Sequence, residues 1–222
     1  MFYNWKIALA NTHFRGRVIA SWVVLLLILT GFAWFLAYIE NRQGHTFYDP
    51  ILNFLKPRDV SYFIFFITYS AAVAGLIYAF NSPYKFLHLI QMYGSLTILR
   101  IATMFFVPLE PPTEHIPLHD EFLNNSIYAG SENLKDLFFS GHAATLFLFY
   151  FFTEHKFLKY TFLVAAITVS IGVLVQHVHY SYDVIAAPIF AYIAYRLITK
   201  FSKHYYKEEE TTTSETLKGT SI

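Results

Sequence analysis

The sequence predicts an all-α, polytopic membrane protein in which six transmembrane helices form a bundle. Hydrophobic residues make up 55% of the 222 residues and charged residues only 14%, whereas soluble domains carry about 25% charged residues. The chain also contains several apolar runs close to the roughly 20 residues that a helix needs to cross a bilayer. A soluble domain of this size could not bury so much apolar surface, so the membrane class is favoured.

Six apolar runs, separated by polar connections, are interpreted as the six spans. The second run is closed by Asn81-Ser82-Pro83, a turn signal, and the third ends at Pro108. The longest connection, 109–137, follows the third run and is rich in Glu and Asp. The predicted spans cover residues 18–39, 62–80, 84–107, 140–152, 160–175 and 182–198.

The ends of the chain differ in composition from the spans. The first run follows basic residues as a signal peptide does, but it is too long for one and lacks a clear cleavage site, so we interpret it as a retained span. Apolar and polar residues mix in 1–17, which predicts a segment lying in the membrane interface. We therefore expect an interfacial segment 1–17, a six-span catalytic domain 18–200 and a disordered cytoplasmic tail 201–222.

The distribution of basic residues predicts the orientation. Six spans place both termini on one side, and cytoplasmic connections are normally enriched in Lys and Arg. The long acidic connection contains only Lys135, so we expect it outside and both termini in the cytoplasm. The basic residues at the predicted cytoplasmic ends are Lys6, Arg15, Arg17, Lys85, Lys156, Lys159, Lys200, Lys203 and Lys207.

Composition also excludes several function classes. The net charge of +1 and the absence of a basic patch give no reason to expect a nucleic-acid partner. The chain has no cysteine, which excludes disulfides, thiolate catalysis and cysteine metal sites.

Ionisable residues at the predicted outer ends of the spans are the candidates for chemistry, because such groups are costly inside a membrane. Arg100 lies about 10 Å below the outer end of the third span at roughly 1.5 Å per residue. It costs on the order of 2.5 to 3.5 kcal/mol if it faces lipid, so it needs an anionic partner or a wet cavity. His142 follows Ser140-Gly141 at the start of the fourth span, where free backbone N–H groups favour anions.

The sixth span begins with a second candidate pair, His179 and Asp183. Four residues apart, they share one helical face if the helix has begun at His179, and the carboxylate would then orient the imidazole.

Each of these residues also has a structural interpretation. Arg100 is able to snorkel towards the interface, His142 to act as a helix cap, and His179 with Asp183 to form an ordinary buried hydrogen bond. Their convergence at one membrane depth favours a functional site. Lys135 and Asp136, just before the fourth span, are by default loop charges.

Two motifs carry a resemblance to a known family. Asp-x3-Ser-Gly-His at Asp136 to His142 and His-x3-Asp at His179 to Asp183 resemble the active-site motifs of the sphingomyelin synthase family, which is related to the type-2 phosphatidic acid phosphatases. Residues 93–104, which include Arg100, are similar to that family's third-span motif. The resemblance covers about residues 93–196 and implies a six-span membrane enzyme acting on lipids.

Together with the residue chemistry, the resemblance implies a mechanism. His179 would attack the phosphorus of a phospholipid, with Asp183 fixing its tautomer, and form a phosphohistidine. His142 would act as general acid and base. The phospho-head group would then pass to a lipid alcohol, ceramide or diacylglycerol, with no metal or other cofactor required. The residues expected to bind the phosphate are Arg100, Ser140, Gly141 and Lys135.

Three alternatives stay open. The same residues with water as acceptor would give a lipid phosphate phosphatase, although Val173 stands where those phosphatases typically carry an arginine. His177, together with His142, His179 and Asp183, has the ligand types of a transition-metal site. A membrane binding protein without catalytic activity is the third alternative.

Overall fold

A computed structural model describes residues 2–118 and 133–219, with side chains described for 5–118 and 133–202. Within these ranges the regular structure is helical, apart from one isolated bridge between His45 and Leu109. A single 3₁₀ turn, Leu52–Phe54, lies between the second and third helices. The helices are α1 (Phe2–Ala10), α2 (Thr12–Glu40), α3 (Ser61–Phe80), α4 (Pro83–Phe106), α5 (Gly141–Phe152), α6 (Lys156–Val175) and α7 (Ser181–Gly219).

The helix lengths confirm the predicted fold class, an all-α multi-pass membrane bundle. Five helical segments are long and apolar enough to cross a bilayer: α2, α3, α4, α6 and the part of α7 from Ser181 to Ser202. The sixth apolar helix, α5, has 12 residues, which at 1.5 Å per residue gives a length of about 18 Å. It is therefore shorter than the apolar core of a bilayer, which is about 30 Å thick.

α5 lies at the centre of the bundle. All of its residues are buried or half-buried, and it packs against both α6 and α7. The Phe149 ring stacks on Phe162 of α6 with a centroid distance of 5.3 Å. On the other side, small residues of α7 are fully buried and allow close helix packing; they are Ala187, Ala191 and Ala194.

α2 lies on the outside of the bundle against α4. Large apolar side chains project from its free face, among them Leu27 and Trp34, which is 80% exposed. α3 carries a similar face that includes Phe66. In a membrane protein these faces contact lipid, because an apolar surface of this extent is unfavourable in water.

The bundle has two different ends. The connection 41–60 and the described parts of the next long connection, 107–118 and 133–140, lie at one end, the long-loop end, where α2, α4 and α6 finish and α3, α5 and α7 begin. The short connections 81–82 and 153–155 lie at the other, the short-loop end. Here Lys85 Nζ donates hydrogen bonds to Glu154 Oε2 (2.7 Å) and to the Tyr78 hydroxyl (3.1 Å).

The segments at both ends of the chain are helical in the part that the structure describes. Asn11 separates α1 from α2, and its Oδ1 accepts hydrogen bonds from the N–H groups of His13 (2.9 Å) and Phe14 (3.2 Å). Trp5 of α1 stacks on Phe80 at the end of α3 (4.8 Å). At the other terminus α7 is helical to Gly219, beyond the apolar run that ended at residue 198, and its added Lys and Glu residues are good helix formers. The division into 1–17, 18–200 and 201–222 remains a prediction.

Candidate active site

Arg100 of α4 has the anionic partner that its position in an apolar helix requires. Its Nη2 pairs with Asp136 Oδ1, and its guanidinium lies over the Phe32 ring with Cζ 5.1 Å from the centroid. The Arg100 side chain is 13% exposed. The interpretation of Asp136 as an ordinary loop charge is therefore wrong, because the folded chain places this carboxylate beside the arginine.

Gly141, the first residue of α5, allows the arginine to approach the helix terminus. A Cβ atom added to Gly141 would lie 2.5 Å from Arg100 Cζ, closer than real Cβ contacts occur. A side chain at this position would therefore displace the guanidinium from its present place. The guanidinium therefore packs on a helix N-terminus, whose free N–H groups and dipole also favour negative charge. Two sources of positive potential meet at this point.

The second half of the site lies just before α7. The helix begins at Ser181, so the condition for His179 and Asp183 to share a helical face is not met, although the two side chains lie together. Asp183 Oδ2 instead turns back to accept a hydrogen bond from the Tyr180 N–H (3.0 Å), and it lies 3.4 Å from His179 Nδ1. This distance suits an ion pair and exceeds a hydrogen bond. His179 is 2% exposed and Asp183 is fully buried.

A backbone contact joins the two halves. The Ser140 N–H donates to the Asp183 carbonyl oxygen (3.3 Å), which holds the start of α5 against the start of α7. His142, one residue after Gly141, is half-buried, and its ring lies edge-on to Phe65 of α3 at 5.7 Å. Arg100, Ser140-Gly141 and the His179–Asp183 pair thus form a continuous group at the long-loop end.

Several buried polar atoms of this group have no hydrogen-bond partner. Among the side chains that the structure describes, seven buried nitrogen or oxygen atoms lack one. Four of the seven are Arg100 Nε, Ser140 Oγ, His179 Nδ1 and Asp183 Oδ1. Folded proteins rarely leave such atoms unpaired, and their concentration in one place is typical of a ligand site.

The site lies below the end of the bundle. Arg100 is six residues before Phe106, the last residue of α4, which corresponds to a depth of about 9 Å. The length of α5 gives a similar value, because a helix of about 18 Å ends some 12 Å short of a 30 Å apolar core. The two helices independently indicate a recessed site.

Lys135, predicted to bind phosphate, contacts other groups. Its Nζ donates hydrogen bonds to Glu110 Oε1 (2.8 Å) and to the Arg42 carbonyl oxygen (2.7 Å). The bond from Lys135 holds the pKa of Glu110 below its ordinary value, against a smaller opposing effect of burial. A role of Lys135 in phosphate binding remains a prediction.

His177 does not join the His179–Asp183 pair in a metal site. Its Nε2 is hydrogen-bonded to the Leu55 carbonyl oxygen (3.1 Å), and its backbone has a φ of 57°, in the left-handed region. In the described ranges, no three His, Asp or Glu side chains come together as metal ligands would.

The sequence reasoning missed Asp49. This residue lies in the connection between α2 and α3, and its Oδ2 accepts a hydrogen bond from the Ser181 N–H at 2.6 Å. The local signal was an aspartate before a proline, which is typical of a turn. Nothing local indicates a partner 132 positions away along the chain.

The fold and the site define a multi-pass membrane protein with a buried, histidine-containing group able to hold an anion. The family model described as PAP2 superfamily C-terminal matches residues 135–202. The match includes α5, α6 and the spanning part of α7, and supports a relation to the PAP2 superfamily and a lipid enzyme of the phosphatase or phosphotransferase type. Comparison with curated proteins gives no match.

Proposed function

We propose that the protein is a phospholipid head-group phosphotransferase. It moves the phospho-head group of a glycerophospholipid to a lipid alcohol, ceramide or diacylglycerol, through a phosphohistidine. The observation that carries the proposal is the cluster of unpaired polar atoms on Arg100, Ser140, His179 and Asp183. A phosphate would provide acceptors for Arg100 Nε and Ser140 Oγ, and the other two atoms belong to the pair in which Asp183 faces His179 Nδ1.

In the first step His179 is the nucleophile. Because Nδ1 faces Asp183 at 3.4 Å, the proton belongs on Nδ1 and the lone pair on Nε2. Nε2 attacks the phosphorus, forming an N–P bond and breaking the P–O bond to the glycerol oxygen. His142, as the imidazolium, gives its proton to that oxygen and diacylglycerol leaves. Asp183 stabilises the positive charge that develops on the phosphorylated imidazole.

In the second step the acceptor takes the group. His142, now neutral, removes the proton from the acceptor hydroxyl, whose oxygen attacks the phosphorus while the N–P bond breaks. His179 and the protonated His142 are thereby restored. In both steps Arg100 and the N–H groups at the start of α5 balance the charge on the non-bridging phosphate oxygens.

A second candidate is a lipid phosphate phosphatase, in which water replaces the lipid alcohol in the second step. The match of residues 135–202 to the PAP2 superfamily model supports both candidates. Recession of the site by about 10 Å favours the transferase, because the apolar surroundings of that depth suit a lipid acceptor better than water.

The site is proposed to open to the extracytoplasmic leaflet. It lies at the long-loop end, and the acidic connection 109–137 at that end carries a single lysine. The positive-inside rule places such a connection outside the cytoplasm.

The test uses the full chain in liposomes that contain a head-group-labelled phospholipid and either ceramide or diacylglycerol, with products resolved by mass spectrometry. We expect a new lipid that carries the label. His179→Ala should abolish it, whereas His155→Ala, which alters an exposed histidine at the short-loop end, should not. Labelled phospho-head group in water alone would show a hydrolase instead, with release of inorganic phosphate from a lipid phosphate donor identifying the phosphatase, and turnover that survives His179→Ala would refute the mechanism.

A further inference from the structure

Asp49 is a buried carboxylate with no part in the chemistry proposed above. It is 4% exposed, although it lies in the connection between α2 and α3. Its Oδ1 accepts hydrogen bonds from the N–H groups of Ile51 (2.9 Å) and Leu52 (3.3 Å), and its Oδ2 accepts the 2.6 Å bond from Ser181. Both carboxylate oxygens are therefore fixed in place.

The contact with Ser181 lies at the start of α7, two residues after His179. The first N–H groups of a helix have no partner within the helix and need acceptors. Asp183 accepts from the Tyr180 N–H (3.0 Å), and Asp49 accepts from the next N–H, that of Ser181 (2.6 Å). Two carboxylates thus share the N-terminus of α7.

Because Asp49 and Asp183 each accept from a different N–H group, the direction of Asp183 towards His179 depends on both carboxylates. Asp183 Oδ2 has two neighbours, the Tyr180 N–H and His179 Nδ1 at 3.4 Å. If Asp49 were absent, the buried Ser181 N–H would lose its acceptor, which is unfavourable in a site excluded from water. Asp183 is the carboxylate already at this helix terminus, and turning towards the vacant donor would take it away from the imidazole.

We propose that Asp49 is a positioning residue, which keeps Asp183 directed at His179 Nδ1 by occupying the Ser181 N–H itself. The tautomer that leaves Nε2 unprotonated then depends on a side chain from the connection between α2 and α3. The catalytic consequence rests on the proposed function of His179, whereas the effect on the imidazole does not.

The charge of Asp49 supports this role. Burial opposes the charge, but the hydrogen bonds from Ser181, Leu52 and Ile51 outweigh it and hold the pKa of Asp49 below its ordinary value. A carboxylate that stays ionised at a helix N-terminus also interacts favourably with the helix dipole. The charged groups that act on the neighbouring Tyr180 hydroxyl are Asp183, Asp49 and Glu110, and burial raises the pKa of this hydroxyl.

The test measures the tautomer of the His179 imidazole directly, in the full chain. Protein with ¹⁵N-labelled histidine is placed in nanodiscs at a pH where histidine is neutral, and the His179 signals are assigned by their loss in His179→Gln. Wild type should show a protonated Nδ1 and an unprotonated Nε2. Asp49→Ala should shift His179 towards the other tautomer, and Asp49→Asn, which keeps an oxygen acceptor, should shift it less.

Turnover provides the second measurement. Asp49→Ala should lower kcat at least tenfold with less than a twofold change in KM, because the residue contacts no substrate. The control is Asn11→Ala, which removes the N-cap of α2 and should change neither the tautomer nor kcat. Asp49→Asn guards against misfolding of the alanine variant.

An unchanged His179 tautomer in both Asp49 variants would overturn the proposal, and so would a loss of kcat no larger than that of Asn11→Ala. The two proposals fail separately. If wild type turns over no donor by a His179-dependent route, the proposed function fails, and the ¹⁵N signals still decide the role of Asp49.

Discussion

The site depends on single residues whose identity is set by close contacts. Arg100 is tolerated in an apolar helix because it has an ion pair with Asp136, a ring of Phe32 below its guanidinium and a glycine in front of it. Each contact withdraws the charge from lipid while leaving Nε unpaired. The arginine is thus held in position before any phosphate arrives.

The close contact between Gly141 and Arg100 predicts that a side chain at position 141 lowers activity. Gly141→Ala introduces a methyl group 2.5 Å from Arg100 Cζ, so the guanidinium must move by about 1 Å. We expect kcat/KM to fall by roughly 100-fold, as misplacements of that size do, in an otherwise folded protein. Gly31→Ala is the matched control, because a Cβ there meets nothing described within 4 Å. Equal activity of the two variants would contradict the contact.

The pair between Lys135 and Glu110 gives a prediction about pH. Because the folded pKa of Glu110 lies below its ordinary value of 4.5, the pair stabilises the protein above that pH and its contribution is lost as the pH falls through the folded pKa. Between about pH 6 and pH 4, the melting temperature of wild type should therefore fall more than that of Glu110→Gln. Parallel curves for the two proteins would show that the carboxylate contributes nothing.

At the scale of helices, the apolar runs predicted the spans well and the chemistry at their ends less well. α3 ends at the predicted residue and α4 begins within one residue of the prediction, because Asn81-Ser82-Pro83 is a local signal. α7 begins at Ser181, one residue before the predicted run, so the pairing of His179 with Asp183 forms across the helix start rather than along one helical face. The segment before α7 is fixed by groups far away in the sequence, including Asp49, Leu55 and Glu110, which a periodicity argument cannot detect.

Gln176 is the strongest example of such a distant contact. It is fully buried at the end of α6, its Nε2 donates to Ser61 Oγ (2.7 Å) and to the Pro117 carbonyl (3.1 Å), and its Oε1 accepts from the Val60 N–H (3.1 Å). Gln176→Leu keeps most of the volume but removes these three hydrogen bonds, including the acceptor of the Val60 N–H. We expect a loss of about 1 to 3 kcal/mol in unfolding free energy, measured by denaturation in detergent. Gln91→Leu, which breaks one half-buried bond to Ser21, should cost less.

At the scale of the whole molecule, the membrane class and the all-helical fold followed from composition and length alone. Six spans were predicted, whereas five of the described helices are long and apolar enough to cross a bilayer. The sequence also grouped Arg100, His142, His179 and Asp183 by their membrane depth, and the structure links three of them through Ser140 and Gly141. Lys135, just before the fourth span, was also expected to bind phosphate, but its ammonium is directed to Glu110 and to the Arg42 carbonyl oxygen. Depth is readable from a sequence, whereas side-chain direction in a connection is not.

The predicted orientation of the bundle, with its long-loop end outside the cytoplasm, is testable by labelling. The chain has no cysteine, so single cysteines report their location without background. We expect a membrane-impermeant maleimide to label Thr113→Cys, exposed at the long-loop end, in intact cells, and to label Lys156→Cys, exposed at the short-loop end, only after permeabilisation. The reverse pattern would place the site in the cytoplasm and refute the proposed topology.

The short central helix has a consequence for how the protein responds to its bilayer. A lipid-facing helix adapts to acyl-chain length by tilting, since hydrophobic mismatch acts on surfaces in contact with lipid. α2, with 29 residues and an exposed face, is a helix on which this mismatch acts. α5 is enclosed by its neighbours and touches lipid little or not at all. Thicker or thinner bilayers should therefore change the tilt of the outer helices, while the depth of the reacting groups below the end of the bundle stays constant. A thicker leaflet then lifts the donor's head-group plane away from a fixed site, and turnover should decline as acyl chains lengthen.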